Sequence, residues 1–180
     1  YYRKGAWRRA ACVVRASGTS TRMFYPLEDH SMLDKFTSWV KETATNLKTE
    51  VSKYKNKTFL EATVAGCALV AAADGNISSE EKQKMVGFMR QSDALSVFDI
   101  SEVIALFEKY AATFDFDPMI GKGECLKVIG KLKKDTGASR MLIRVCCAIG
   151  AADGNFDDDE KAVVSEICAE LGLNPADFSL

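Results

Sequence analysis

Two stretches of the chain, Phe59–Ala73 and Met141–Ala152, are apolar nearly all the way round and rich in Ala, Gly and Cys. That pattern predicts central helices packed closely on several sides, not surface helices with one wet face. Elsewhere the pattern is amphipathic. Leu33–Lys53 repeats apolar residues at Phe36, Trp39, Val40, Leu47 and Val51 and leads into Lys53, Lys55 and Lys57, which predicts a helix with a basic end. Asp99-x-x-Glu102 predicts the cap of a helix through Val103, Leu106, Phe107 and Tyr110. The Phe114–Pro118 stretch (FDFDP) predicts its break, and Met119–Lys134 predicts a further helix despite Gly121, Gly123 and Gly130. Thr136 is the expected cap of the second central helix. No segment alternates with the period of a strand, so the chain reads as all-α with about seven helices.

The two central stretches are related. At an offset of 79, GCALVAAADGNISSEEK (66–82) matches VCCAIGAADGNFDDDEK (145–161) with eight identities: Cys67/Cys146, Ala72/Ala151, Ala73/Ala152, Asp74/Asp153, Gly75/Gly154, Asn76/Asn155, Glu81/Glu160 and Lys82/Lys161. About one identity is expected by chance, so the chain carries a duplicated unit, read here over about 54–92 and 133–171. Each copy has the grammar of helix, tight turn, helix. Gly75 and Gly154 supply the left-handed backbone of a helix C-terminus, and Ser78-x-x-Glu81 and Asp157-x-x-Glu160 read as capping boxes. Two helical bundles related by a pseudo-two-fold are the expected architecture.

Composition narrows the chemistry. The chain has 180 residues, 47% hydrophobic and 27% charged, with 24 basic against 25 acidic side chains. That is one globular chain with no run apolar enough to cross a bilayer and no basic excess of the kind nucleic-acid binders show. The balance conceals a split. Residues 1–31 hold Arg3, Lys4, Arg8, Arg9, Arg15 and Arg22 against Glu28 and Asp29, which leaves 18 basic and 23 acidic side chains for the rest. Residues 1–31 carry no helical period and are expected to stand outside the domain as a non-native or disordered leader, with Met32 the natural start and 32–180 a single helical domain. His30 is the sole histidine, so His-activated nucleophiles and His-ligated zinc are nearly excluded. The six cysteines include no C-x-x-C, and most fall inside apolar helical pattern; they are expected to be free and buried. A redox or soft-metal role for Cys146 and Cys147 is the minor alternative. Gly121-Lys122-Gly123-Glu124 lacks P-loop spacing and follows no strand, so its glycines are read as helix-packing positions.

The duplicated turns carry the candidate chemistry. Set against the EF-hand loop, Gly75 takes the sixth position, Asp74 the fifth, Asn76 the seventh, Ile77 the buried eighth, Ser78 the ninth and Glu81 the twelfth. The second copy aligns in the same way through Asp153, Asn155, Phe156, Asp157 and Glu160. The first and third positions are Val70 and Ala72 in one copy and Ile149 and Ala151 in the other, so a standard calcium loop is ruled out. Half a loop survives. Such a half site could hold a hard cation with water completing the shell, or two half sites could share one ion. Asp74 and Asp153 place negative charge at helix C-termini, where the macrodipole disfavours it by about 0.3–1 kcal/mol. The local explanation is that they accept amides of the next helix or pair with Lys82 and Lys161. Asp157, Asp158, Asp159 and Glu160 then add more acid than capping needs.

The AADGN-x5-EK signature, with YKNKTFLEATVAGCALVAAADGNISSEEKQKMVGFM (54–89), SDALSVFD (92–99), FDFDPMIGKGE (114–124) and LGLNPADF (171–178), resembles the TerB family of tellurite resistance proteins. The resemblance runs from about Met32 to Leu180. It implies an all-helical fold of two pseudo-symmetric bundles and a non-enzymatic role in tellurite resistance and chemical-stress response. It implies cytoplasmic action, peripheral at the inner membrane through partners, those partners being other, membrane-associated proteins of the tellurite-resistance system. It also implies divalent-metal binding, which transfers to Asp74, Glu81, Asp153 and Glu160; the half-loop reading adds Asn76, Asn155 and Asp157. Calcium, magnesium and zinc are all open. The other readings are a structural helical adaptor in a stress-response complex whose acidic turns are only caps, and thiol reduction of tellurite at Cys67, Cys146 and Cys147, which their apolar setting disfavours.

Overall fold

The computed structural model describes residues 38, 46–75, 77–153 and 156–180, Asp153 by its backbone alone. Among them the structure is all-α, with no strand. The helices are α1 (46–51), α2 (Lys57–Ala71), α3 (Ser79–Gln91), α4 (Ile100–Phe116), α5 (Pro118–Ile129), α6 (Thr136–Gly150) and α7 (Asp158–Leu171), joined in part by short 3-10 turns.

The two apolar stretches are the central helices. In α2 every residue from Phe59 to Val70 except Glu61 is buried, because the helix is covered by α4, α5, α6 and α7. The small residues are there for close approach. A Cβ on Gly66 would stand 2.6 Å from the Cys146 sulfur of α6, and one on Gly121 of α5 would stand 2.7 Å from the Phe114 ring of α4. Cys67, Cys125, Cys146, Cys147 and Cys168 are free and buried, filling the core as small apolar side chains. Cys12, His30 and the predicted helix residues Phe36, Trp39 and Val40 lie outside the described residues.

Caps set the boundaries, and three differ from the sequence expectation. The second central helix is capped by Asp135, whose Oδ1 accepts from the Ala138 amide at 2.9 Å; Thr136 is instead its first residue. An aspartate one position earlier places its carboxylate where the third helical amide needs it. The FDFDP break falls at Asp117 alone, because α4 continues through Phe116. Asp117 both closes α4 and caps α5, accepting from Met119 N at 2.8 Å and Ile120 N at 3.3 Å, while Pro118 takes the first position, where its missing N–H costs nothing. The helix expected over Met119–Lys134 ends at Ile129 and tightens into a 3-10 turn through Leu132.

Candidate functional site

The turns between α2 and α3 and between α6 and α7 both lead into a capping box; Gly154 lies outside the described residues. α2 ends at Ala71, and after Ala72 to Asp74 the chain turns at Gly75 with φ +95°, a backbone that L side chains rarely adopt. Ile77 is then buried, and Ser78 caps α3: the Ser78 hydroxyl accepts from Glu81 N at 3.2 Å while Glu81 Oε2 accepts from Ser78 N at 2.7 Å. In the second turn, α6 passes into a 3-10 turn over Ala151–Asp153, Phe156 is buried against Gly150, and Asp157 opens α7. Asp157 Oδ1 accepts from Glu160 N at 2.9 Å and Glu160 Oε2 from Asp157 N at 3.0 Å. Both capping boxes expected from the spacing are therefore formed.

The two turns open onto one cavity of about 240 Å³. Its floor is apolar, with Val70, Met85, Phe88 and Ile149, and its rim carries Asp74 and Glu81 from the first turn and Asp157, Asp159 and Glu160 from the second. Among the described residues, the lining carries five carboxylates and one ammonium, Lys84. Four of the residues singled out in the sequence, Asp74, Glu81, Asp157 and Glu160, thus share one concavity. Asn76, Asn155 and the Asp153 side chain lie outside the described residues. No three Asp, Glu, Cys or His side chains among those described stand close enough to hold one ion as they are placed. Asp74, Asp157 and Asp159 are exposed and Glu81 and Glu160 half-buried. The donor set is all carboxylate, which suits a hard cation with water in its shell and lacks the sulfur and nitrogen ligands typical of zinc.

Each repeated lysine makes an ion pair outside its turn aspartate. Lys82 Nζ reaches Asp115 of α4 at 2.7 Å and Lys161 Nζ reaches Asp158 at 3.1 Å. Two rim residues were missed in the sequence. Lys84 follows from spacing, since Glu81, Lys84, Met85 and Phe88 stand on one helical face. Asp159 was visible only as part of an acidic run, and only the packing of α7 tells it from Asp158.

Four of the described thiols, Cys125, Cys146, Cys147 and Cys168, are held protonated by their seating. The Cys67 thiol hydrogen-bonded to Cys146, together with burial, holds the Cys146 thiol well above its ordinary value. Burial raises Cys147 as well, Cys125 to about 12 and Cys168 to about 11. Arg144, the cation nearest Cys147 in sequence, is engaged by Glu50 at 2.9 Å. Protonated, buried thiols are poor nucleophiles.

The chain is similar over residues 60–180 to a protein family described as tellurite resistance protein TerB. It is also 47% identical over 115 residues to a tellurium resistance protein TerB from an Alcaligenes species, a match that covers 64% of this chain and 94% of that relative. No solved structure matches the chain. No helix among the described residues is long and apolar enough to cross a membrane.

Proposed function

The chain belongs to the TerB family of tellurite resistance proteins, and we propose that it takes part in tellurite resistance without catalysis, as a divalent-cation-binding interaction module whose working face is the acidic cavity. One observation carries the reading: carboxylates from both duplicated turns, Asp74 and Glu81 on one side and Asp157, Asp159 and Glu160 on the other, line a single concavity. A bound cation would neutralise part of this excess negative charge and link the start of α3 to the start of α7. Glu81 and Glu160 each use one oxygen on a cap, and the apolar floor keeps the rim groups at the surface. Asp74 contributes charge at the end of α2, where the helix dipole gives it no support.

Partners are other proteins of the tellurite-resistance system, some of them membrane-associated, meeting a cytoplasmic protein that is peripheral to the inner membrane through them. Two surfaces of opposite sign support this. The acidic cavity suits a cation or a basic segment, while the exposed Lys53, Lys55 and Lys57 before and at the start of α2 suit an acidic one.

The test is titration of the full chain with calcium, magnesium and zinc, followed by thermal melting and amide shifts. Saturable shifts are expected at 74–81 and 157–160, with a higher melting temperature for the ion that binds. The double substitution Asp74→Asn with Asp157→Asn should abolish both effects while keeping the α7 cap, since Asn caps as well as Asp. Unmoved amides at millimolar ion would exclude the cation. A second reading is favoured by the caps themselves: Ser78, Glu81, Asp157 and Glu160 already have a structural task. In that reading the module is a metal-free helical adaptor, and the double substitution leaves partner capture unchanged.

A further inference from the structure

The opposite face of α3 lines a second cavity, a groove of about 440 Å³ between α3 and α4. Val86, Gly87, Phe107, Ala111 and Ala112 make it apolar. Its two rims carry opposite charge: Lys82 and Arg90 on α3, Glu108 and Asp115 on α4, with Lys82 and Asp115 bridged at 2.7 Å. The apolar strip runs past that bridge. Glu108, Ala112 and Phe116 stand four apart along α4, and the row leads to Phe116, Met119 and Ile120, which are 82%, 77% and 49% exposed. Large apolar side chains clustered this way beside a groove mark an interaction surface. The bridging pair is also set against both helix dipoles, with a lysine near the start of α3 and an aspartate in the last turn of α4. Helix stability alone would favour the reverse signs.

We propose that two copies of the chain pair through this groove about a two-fold axis that runs along it. Such an axis lays α3 of one copy over α4 of the other. The basic rim of each then meets the acidic rim of its mate, and the Lys82 and Asp115 side chains of the two copies form a square of alternating sign. The same operation brings the two exposed Phe116–Ile120 corners to one end of the interface, each on the side of its mate's α3. The surface is self-complementary in charge and in apolar content, as an isologous contact requires.

Sedimentation of the full chain is expected to show a dimer that dissociates on dilution. Gly87→Phe plugs the groove, and a Cβ at that position meets nothing within 4 Å, so the fold should persist by circular dichroism while association weakens by more than about ten-fold. The exchange Lys82→Glu with Asp115→Lys keeps the internal bridge and aligns both charges with the helix dipoles. That variant should pair with itself as well as the parent chain does, yet fail to mix with the parent in native mass spectrometry, because mixed pairs set like charges face to face. A chain that stays monomeric at every concentration, a dimer that Gly87→Phe leaves intact, or free mixing of the exchanged and parent chains each overturns the proposal. A groove filled by a different protein while the chain remains monomeric counts among the first of these.

Discussion

At the scale of single residues, the core is set by what small side chains permit. Gly66 of α2 faces Cys146 of α6, with only 2.6 Å available between a Cβ at 66 and the sulfur at 146. Gly66→Ala should therefore destabilise the fold by about 1–3 kcal/mol despite the better helix propensity of alanine. Removing the sulfur makes room, so Gly66→Ala with Cys146→Ala should be more stable than the sum of the two single changes by at least about 0.5 kcal/mol. Denaturant melts of the four chains measure this; strict additivity would mean that α6 simply shifts. The Ala, Gly and Cys content of the central runs made close packing legible in the sequence. It did not show that glycine 66 faces cysteine 146, because the partner of a buried position depends on how two distant helices dock.

At the scale of elements, capping made the starts of helices readable, more so than hydrophobic period did. Ser78, Asp99 and Asp157 cap as their spacing implied. Asn56 and Asp135, by contrast, start the central helices two and five residues before the apolar runs suggested. The first turn of a helix needs a side-chain acceptor and tolerates polar residues, so apolar period locates the middle of a helix better than its end. The caps also separate structure from charge at the acidic site. Asp157→Ala removes the acceptor for Glu160 N and should cost about 1 kcal/mol. Asp157→Asn keeps the cap and should cost only a few tenths while still weakening cation binding. Paired thermal melts and ion titrations of the two variants test this; equal stability losses would mean that the Asp157 charge itself holds α7 in place.

At the scale of the whole molecule, α3 is the element on which the two surfaces meet. Only Met85 and Met89 of this helix are fully buried, with Val86 and Phe88 partly packed against the core, and its two flanks line the two cavities. At about 100° per residue, Glu81, Lys84, Met85 and Phe88 share one face, and Lys82, Val86, Gly87 and Arg90 lie across the helix from it. The repeat revealed the acidic face in the sequence, since it recurs in the second unit. The groove left no such signal, because Lys82 pairs across to α4 whereas its counterpart Lys161 pairs within α7. Gly87 lines only the groove and Asp74 and Asp157 only the acidic cavity, so the effects of changing them should add. Gly87→Phe should therefore leave the ion-induced amide shifts at 74–81 unchanged, and Asp74→Asn with Asp157→Asn should leave self-association within about 0.5 kcal/mol of the parent. Measuring ion affinity in the groove variant and dimer affinity with and without the ion tests both halves, and linkage requires the two answers to agree. A dimer that strengthens when the ion is added would show that α3 moves as a body between the two surfaces, making the acidic cavity a control on the groove.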